Sequence, residues 1–587
     1  MILYILRKFE YVPVFLASIL LLSLLQLHPF FPDPDSFYHA RIAADMVRGP
    51  IISFSALPDT ALSDVFIDHH FLYHVLLIPF VTFFNPLIGI KISTVIFASL
   101  FLAFFYWLLR RATHQSRSCA LFFLVLLALN SVFLFRINLA KIPAVSLIVF
   151  FAGIYAILKN RPAHLFGLSF LYVWLYAGWP LLPLSATIAW IVRAFSDFRI
   201  SIDTKKFQLS TLNFKGSPTE SCKLKVASCN IVARLFSQKN VALPLASLSG
   251  ALAGLIINPY FPTNVFFYWI QTFKIAIVNI LTDVPVGSEW YSAGVSFIPL
   301  HGPTLMLLVF SLCAFLFPGL FVAVFRTPPL RRTYAQWFMF VMTVLFFALT
   351  LKSRRYGEYF APLATLFSSL VLAPLFSKEL FLHLWGYIKE SLRSPRTARG
   401  MIVLYFFFAA PVIIGASISS VTADFQSGYR FSQYANGMRW LADTIPAGGR
   451  IVHNRWDDFP LFYYHAPEYG YVSGLDPRFL YEKNPERAKK YTAFSQGNDL
   501  AETFGYRGLC TAASSSLDSK HDARSLFFAC TPRAERAETE KLVATFNPSA
   551  VVITHLNEGL QEKILGIPEF SEAYRDDEMI IFIPREP

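Results

Sequence analysis

Charge is scarce in this chain. Asp, Glu, Lys and Arg make up 15% of its 587 residues, against 55% hydrophobic and 17% aromatic. That scarcity excludes an ordinary soluble globular protein, in which about a quarter of the residues are charged, and points to a polytopic membrane protein. Cysteine is scarcer still, at six. Cys119 and Cys313 fall in or beside apolar segments, Cys222 and Cys229 in a basic loop, and no spacing matches a zinc site. Cys510 and Cys530 share the C-terminal region and could pair if that region is extracytoplasmic, although spacing alone leaves the bond open. The chain also lacks internal repeats and low-complexity tracts. Its first apolar run ends in His28-Pro29-Phe30-Phe31-Pro32 without the small residues of a signal cleavage site, so it reads as a retained span.

What is present is a succession of long apolar runs. They fall near residues 11–28, 87–109, 119–135, 144–158, 164–177, 179–194, 241–258, 303–325, 335–351, 359–376 and 401–420, which makes about eleven spans. A shorter run at 70–84, ending at Asn85-Pro86, reads as a re-entrant or interfacial helix. The net charge of +13 is uneven. Residues 421–587 hold 18 Lys/Arg against 23 Asp/Glu, so the preceding part carries about +18. The basic connections all land on one side if the N-terminus is cytoplasmic, which explains the excess without nucleic acid. The other side then receives residues 29–70, 136–143, 259–302, 352–358 and everything from 421. That tail mixes charges and alternates short β-like and helical runs, as a soluble domain of about 165 residues would. The expected architecture is an α-helical polytopic membrane domain over 1–420 followed by a soluble extracytoplasmic α/β or α+β domain over 421–587.

Four groups of residues on the extracytoplasmic side carry chemistry. Asp33-Pro34-Asp35, with His39 and Arg41, sets two carboxylates at the mouth of a span, where they suit a divalent cation, activation of an acceptor, or simply a helix cap at Asp35. Lys352-Ser353-Arg354-Arg355 places positive charge on the disfavoured side; its guanidiniums suit phosphate oxygens, or pair with Glu358. Glu289 lies in a loop beside Trp290, as a ligand or a solvated acid. Arg455-Trp456-Asp457-Asp458-Phe459 combines aromatic and acidic groups fit for sugar or peptide recognition, or for a buried Trp beside a capping Asp. His69, His70 and His74 suggest a metal cluster but show no matching carboxylate frame.

Taken in this order, the four groups resemble those of the catalytic subunit of oligosaccharyltransferase, a membrane glycosyltransferase of the GT-C class. Asp35 followed six residues later by Arg41 is similar to that family's first-loop Asp, which looks like its metal-binding catalytic residue. Arg355, seven residues before Pro362, is similar to the Arg that contacts the donor pyrophosphate. Glu289 is similar in place to the Glu of the "TIXE" loop, and residues 455–459 stand where the family has "WWDYG". The chain departs from the pattern in the second external loop, Phe135-Arg136-Ile137-Asn138-Leu139-Ala140-Lys141-Ile142-Pro143, which has no acid where the family supplies an acidic pair.

The resemblance implies transfer of a sugar or oligosaccharide from a polyprenyl-(pyro)phosphate carrier to a protein or glycan acceptor outside the cytoplasm. It implies Asp35, assisted by Asp33, as catalytic and metal-binding residue, with Mn or Mg as the cation. Glu289 would close over the donor. Arg355 and Arg354, joined by Arg136 and Lys141, would hold the donor phosphate, and Trp456, Asp457 and Asp458 would contact the acceptor. A transporter or lipid-linked-sugar flippase is the alternative; charges gathered at the outer mouth and the lack of repeated halves weigh against it.

Overall fold

A computed structural model describes residues 10–113, 116–195, 238–277, 287–292, 294, 297–319, 332–373, 386, 415–416, 418–495, 545–554 and 558–585. The four cysteines at 222, 229, 510 and 530, and most of the run expected at 401–420, lie outside them.

The apolar runs within the described residues are helical. They form α1 (Tyr11–Leu25), α3 (Phe71–Phe83), α4 (Pro86–Thr113), α5 (Arg117–Ala128), α6 (Ser131–Ile137), α7 (Pro143–Leu158), α8 (Pro162–Leu175), α9 (Leu181–Phe195), α10 (Gln238–Ile256), α11 (Phe297–Leu316), α12 (Tyr334–Lys352) and α13 (Gly357–Leu372), with α2 (Asp35–Asp45) in the first loop. By length and apolarity, two described helices, within α4 and α12, can cross a membrane alone, and the pair α5 and α6 makes a third if it counts as one span. In the others the apolar stretch is shorter, such as Val241–Ile256 within α10 and Leu300–Leu316 within α11.

Breaks between the helices position the site. Residues 119–135 are expected to be one straight span, but the chain bends by 85° between α5 and α6. Asn130 makes the break: its side chain accepts the backbone N–H of Phe133 at 2.9 Å, and its amide donates to Thr304 Oγ1 at 2.7 Å. An N-cap that replaces the lost backbone partner is what lets a helix restart in apolar surroundings. The bend carries Arg136 inward. Between α8 and α9, Gly178 admits the ring of Tyr176, which a Cβ there would approach to 2.3 Å. At Asn85-Pro86, α3 doubles back on α4, and Gly89 lies so close that a Cβ would fall 2.4 Å from the carbonyl oxygen of Phe80.

The C-terminal region holds a five-stranded mixed sheet in the order β4-β3-β5-β7-β6, with β3 (Arg450–His453), β4 (Gly470–Tyr471), β5 (Ala550–Thr554), β6 (Phe570–Arg575) and β7 (Met579–Pro584). β3 pairs in parallel with β4 and β5, and β7 runs antiparallel to β5 and β6. β5 is buried along its whole length, as a central strand of an apolar run should be. A separate two-strand ribbon, β1 (Phe30–Phe31) with β2 (Tyr429–Arg430), ties the first loop to the start of this region. Lys91 of α4 fastens the same joint, donating to the carbonyl oxygens of Gln26 at 3.2 Å and His28 at 2.6 Å while lying over the rings of Phe31 and Phe431. A lysine buried in an apolar bundle needs partners of this kind, and Lys91 has them.

Candidate active site

The first loop, the α6–α7 turn, the turn before α13 and the C-terminal region enclose a cavity of about 870 Å³. Asp33, Asp35, Arg136, Lys141, Glu289, Arg354, Arg355, Trp456 and Asp457 all line it. Residues more than 400 positions apart in the chain thus share one chamber.

Asp33 opens α2. Its side chain accepts the backbone N–H of Asp35 at 3.0 Å, so the capping suggested for Asp35 belongs to Asp33. Asp35 turns instead to Lys141, whose Nζ lies 2.7 Å from Asp35 Oδ2 and 2.7 Å from Asp33 Oδ1. One ammonium bridges two carboxylates. Burial opposes the charge on Lys141, yet Asp33, Asp35 and Glu289 outweigh it and hold the group above the usual lysine range. Burial pushes the Asp35 carboxyl up; Lys141 pulls it down, Asp33 pushes it up again, and the net direction is upward. Asp35 keeps 38% of its side-chain surface open, and that surface faces the cavity.

A second cluster reverses the signs. Glu289 Oε2 accepts from Arg136 Nη1 at 2.9 Å, and its Oε1 pairs with Arg355 Nη1. Arg136 is anchored from behind by the fully buried Glu358, at 2.8 Å from Nη2 and 2.9 Å from Nε. Arg355 sits in the turn Arg354–Tyr356, where it donates to Tyr176 Oη at 2.8 and 3.1 Å and lies 4.8 Å from the centre of the Trp290 ring. Burial would raise the Glu289 carboxyl, but Arg355, Arg136 and Lys141 together hold it well below the usual carboxylate range. The loop itself is pinned by Ser353 Oγ, which donates to the carbonyl oxygen of Glu289 at 2.8 Å. Arg354 meets the same loop, its backbone N–H donating to the carbonyl oxygen of Tyr291 at 3.0 Å.

Three expectations are corrected here. Glu358 pairs with Arg136 rather than with Arg354 or Arg355, because the bend at Asn130 brings Arg136 to it first. Arg41 lies off the cavity, bonded to Asp45 at 2.9 Å one turn along α2. Asp458 does not reach the chamber: it is fully buried and accepts from Thr554 Oγ1 at 2.5 Å, at the end of β5. Its neighbour Asp457 is held by Arg455 and does face inward, as does Trp456.

The histidines have a carboxylate after all. Asp68 Oδ2 lies 2.7 Å from His74 Nδ1, and His74 Nε2 lies 2.7 Å from His39 Nδ1. Asp68 stands immediately before His69 in the chain, the signal that sequence reasoning passed over. The arrangement is linear rather than cage-like, and among the described residues no group of three His, Cys, Asp or Glu has the geometry of a metal site. Tyr176 and Asp476 are further lining residues with no motif to mark them. Asp476 caps the helix Pro477–Lys483, accepting the Arg478 N–H at 2.8 Å, and burial raises its carboxyl to about 7.

No family model and no curated protein matches the chain by sequence. Among solved structures, it is similar to the archaeal oligosaccharyltransferase AglB from Archaeoglobus fulgidus in complex with an inhibitory peptide and a dolichol-phosphate. That match has a TM-score of 0.55 at 12% identity and covers 94% of this chain and 70% of that one. The oligosaccharyltransferase of the same organism in its apo form matches with a TM-score of 0.55 at 13% identity, over 94% and 71% of the two chains. The form tethered to an acceptor peptide containing the NVT sequon matches with a TM-score of 0.55 at 12% identity, over 99% and 74%. This chain therefore has the fold of the GT-C membrane glycosyltransferases, in a divergent version resembling the oligosaccharyltransferase catalytic subunit.

Proposed function

We propose that the chain is a membrane glycosyltransferase that moves a sugar or oligosaccharide from a polyprenyl-phosphate or -pyrophosphate carrier to an extracytoplasmic acceptor. The observation that carries this reading is the Glu289 carboxylate gripped by Arg136 on one oxygen and Arg355 on the other, inside the cavity. Two convergent guanidiniums are a seat for a tetrahedral anion, and Glu289 fills it as two phosphate oxygens would. The dolichol-phosphate held by the AglB structure supports a carrier phosphate as the natural occupant. When it arrives, Glu289 gives way, and the guanidiniums meet the charge that builds on the departing phosphate. Arg354, also on the cavity wall, adds positive charge near the same place.

The residues present do not fit a divalent cation. Lys141 occupies the space between Asp33 and Asp35, and no third ligand is supplied by the α6–α7 turn or found among the described residues. No step is assigned to a metal. Lys141 supplies fixed positive charge where Mn or Mg would stand, and Asp35, held by it, orients the acceptor. Trp456 and Asp457 offer that acceptor an aromatic face and a carboxylate. The domain limits at 420/421 and the extracytoplasmic placement of the cavity rest on the distribution of basic loops.

The test is direct. Purified protein in lipid, given radiolabelled polyprenyl-linked sugars and candidate acceptors, should transfer label. Asp35→Asn and Arg355→Ala should each abolish transfer while the protein still accumulates folded in membranes; normal transfer by either variant sinks the assignment.

A further inference from the structure

The histidine row beside the charged clusters is not needed for phosphate binding, and with neutral rings its hydrogen bonds run in one direction. A carboxylate accepts and never donates, so Asp68 Oδ2 accepts a hydrogen bond from His74 Nδ1–H. In the neutral form of His74 the lone pair lies on Nε2 and accepts from His39 Nδ1–H at 2.7 Å. That leaves the lone pair of His39 on Nε2, a nitrogen with no hydrogen-bond partner among the described residues, on a side chain that lines the cavity. Asp68 is locked in turn by the backbone N–H of His70, at 3.0 Å from Oδ1. In that neutral arrangement the chain of bonds presents one unprotonated imidazole nitrogen, His39 Nε2, in the chamber.

His39 also stands in the right place. It lies four residues after Asp35 on α2, hence on the same helix face. Its neighbour His70 supplies an independent sign of a missing ligand. Only 8% of His70 is exposed, its ring centre is 5.3 Å from that of His39, it lines the cavity, and neither ring nitrogen has a partner. Buried polar atoms are rarely left so. Tyr176 stacks on His70, and Phe267 lies 5.1 Å from His69, so the polar nitrogens alternate with aromatic rings, a surface suited to a polyhydroxylated molecule.

We propose that His39 Nε2 is the proton acceptor for a hydroxyl nucleophile of a glycan acceptor, with His74 and Asp68 as positioning residues behind it and His70 as a hydrogen-bonding partner of the bound glycan. This rests on the transferase reading above and names its acceptor class. In the step, the acceptor hydroxyl loses its proton to His39 Nε2 as its oxygen bonds to the anomeric carbon. The bond from that carbon to the carrier's phosphate oxygen breaks, and its electron pair leaves with the phosphate at Arg136 and Arg355. The imidazolium is stabilised through His74 by Asp68 and later releases its proton to water. Burial, with the nearby charge of Lys141, holds His39 below the usual histidine range. A carboxamide nitrogen gains little from one neutral imidazole, whereas a hydroxyl gains a base.

The experiment uses the full chain in lipid with a polyprenyl-linked sugar and two acceptors, an oligosaccharide and an Asn-x-Thr peptide. Label should appear on the oligosaccharide. His39→Ala should lower kcat on the order of 10²- to 10⁴-fold, with binding of the unreacted carrier phosphate unchanged, and added imidazole should restore part of the rate. Asp68→Asn should lower kcat with little change in KM. His39→Asn provides a second variant should the alanine protein fail to fold. Transfer by His39→Ala at more than half the wild-type rate, label on the peptide alone, or loss of activity without imidazole rescue in a variant that still binds carrier would overturn the proposal. If wild-type protein transfers to neither acceptor, it is the transferase reading that fails.

Discussion

The cavity holds two triplets of charge that mirror one another. In the first, Lys141 lies between Asp33 and Asp35; in the second, Glu289 lies between Arg136 and Arg355. Each central group neutralises a pair that would otherwise repel, but the settings differ. Lys141 comes from the short turn joining α6 to α7, which both helices hold in place. Glu289 comes from the short turn Ser288–Trp290, held by Ser353 and the two guanidiniums at Glu289 and by Arg354 at Tyr291 and Ser292. The difference teaches which charge is built in and which is exchangeable. On the proposed reading Lys141 stays in place as a cation, and Glu289 is the occupant that an incoming phosphate replaces.

Breaking the second triplet should have the largest effect. Arg355→Ala removes a donor from the leaving phosphate and should lower transfer by roughly 10³-fold, the order found when one such donor is deleted elsewhere, with KM for the acceptor unchanged. Steady-state kinetics with labelled donor checks this. Lys141→Ala comes next. It leaves two carboxylates facing one another with no counter-charge, so activity should fall at least tenfold and then become responsive to Mn or Mg, whereas the wild-type rate should not change with either; titration with metal after chelation measures it. Glu289→Gln should act in the opposite direction. Freed from their internal anion, Arg136 and Arg355 should bind the unreacted carrier phosphate about tenfold more tightly, about 1.4 kcal/mol, while turnover changes less.

The smallest expected effect lies away from the cavity. Burial, with Asp457 adding to it and Arg455 opposing, raises the Asp458 carboxyl to about 7. An acid whose folded value exceeds its unfolded value binds more protons when folded, so stability falls as pH rises from about 4 through about 7. Asp458→Asn should flatten that slope by up to one proton, leaving transfer activity nearly intact. Thermal melts of the solubilised protein across that range decide it.

Helices were legible in the sequence wherever an apolar run was uninterrupted, and so was the mixed character of the C-terminal region. Arg355, Glu289 and Asp35 stood out because a charge beside an apolar span needs a reason. The bend at Asn130 was not legible, since hydropathy averages over a residue whose effect is one side-chain hydrogen bond. Without that bend Arg136 cannot be placed opposite Glu358, which is why the wrong arginine was given to that acid. Asp458 was misplaced for a related reason. Residues 457 and 458 are chemically identical in the sequence, and only the way the turn Trp456–Asp458 packs beside the end of β5 decides that one faces the cavity and the other Thr554. The histidine relay was half visible: His74 lies six residues after Asp68, but its link to His39 spans 35 residues and depends on how α2 packs on α3.

The central claim is that a fixed lysine does the work of a metal ion in a lipid-linked glycosyl transfer. The direct measurement is the rate of label transfer from a polyprenyl-linked sugar by the purified protein in lipid, before and after exhaustive chelation. An unchanged rate is predicted. A rate that vanishes with the chelator and returns with manganese would contradict the account.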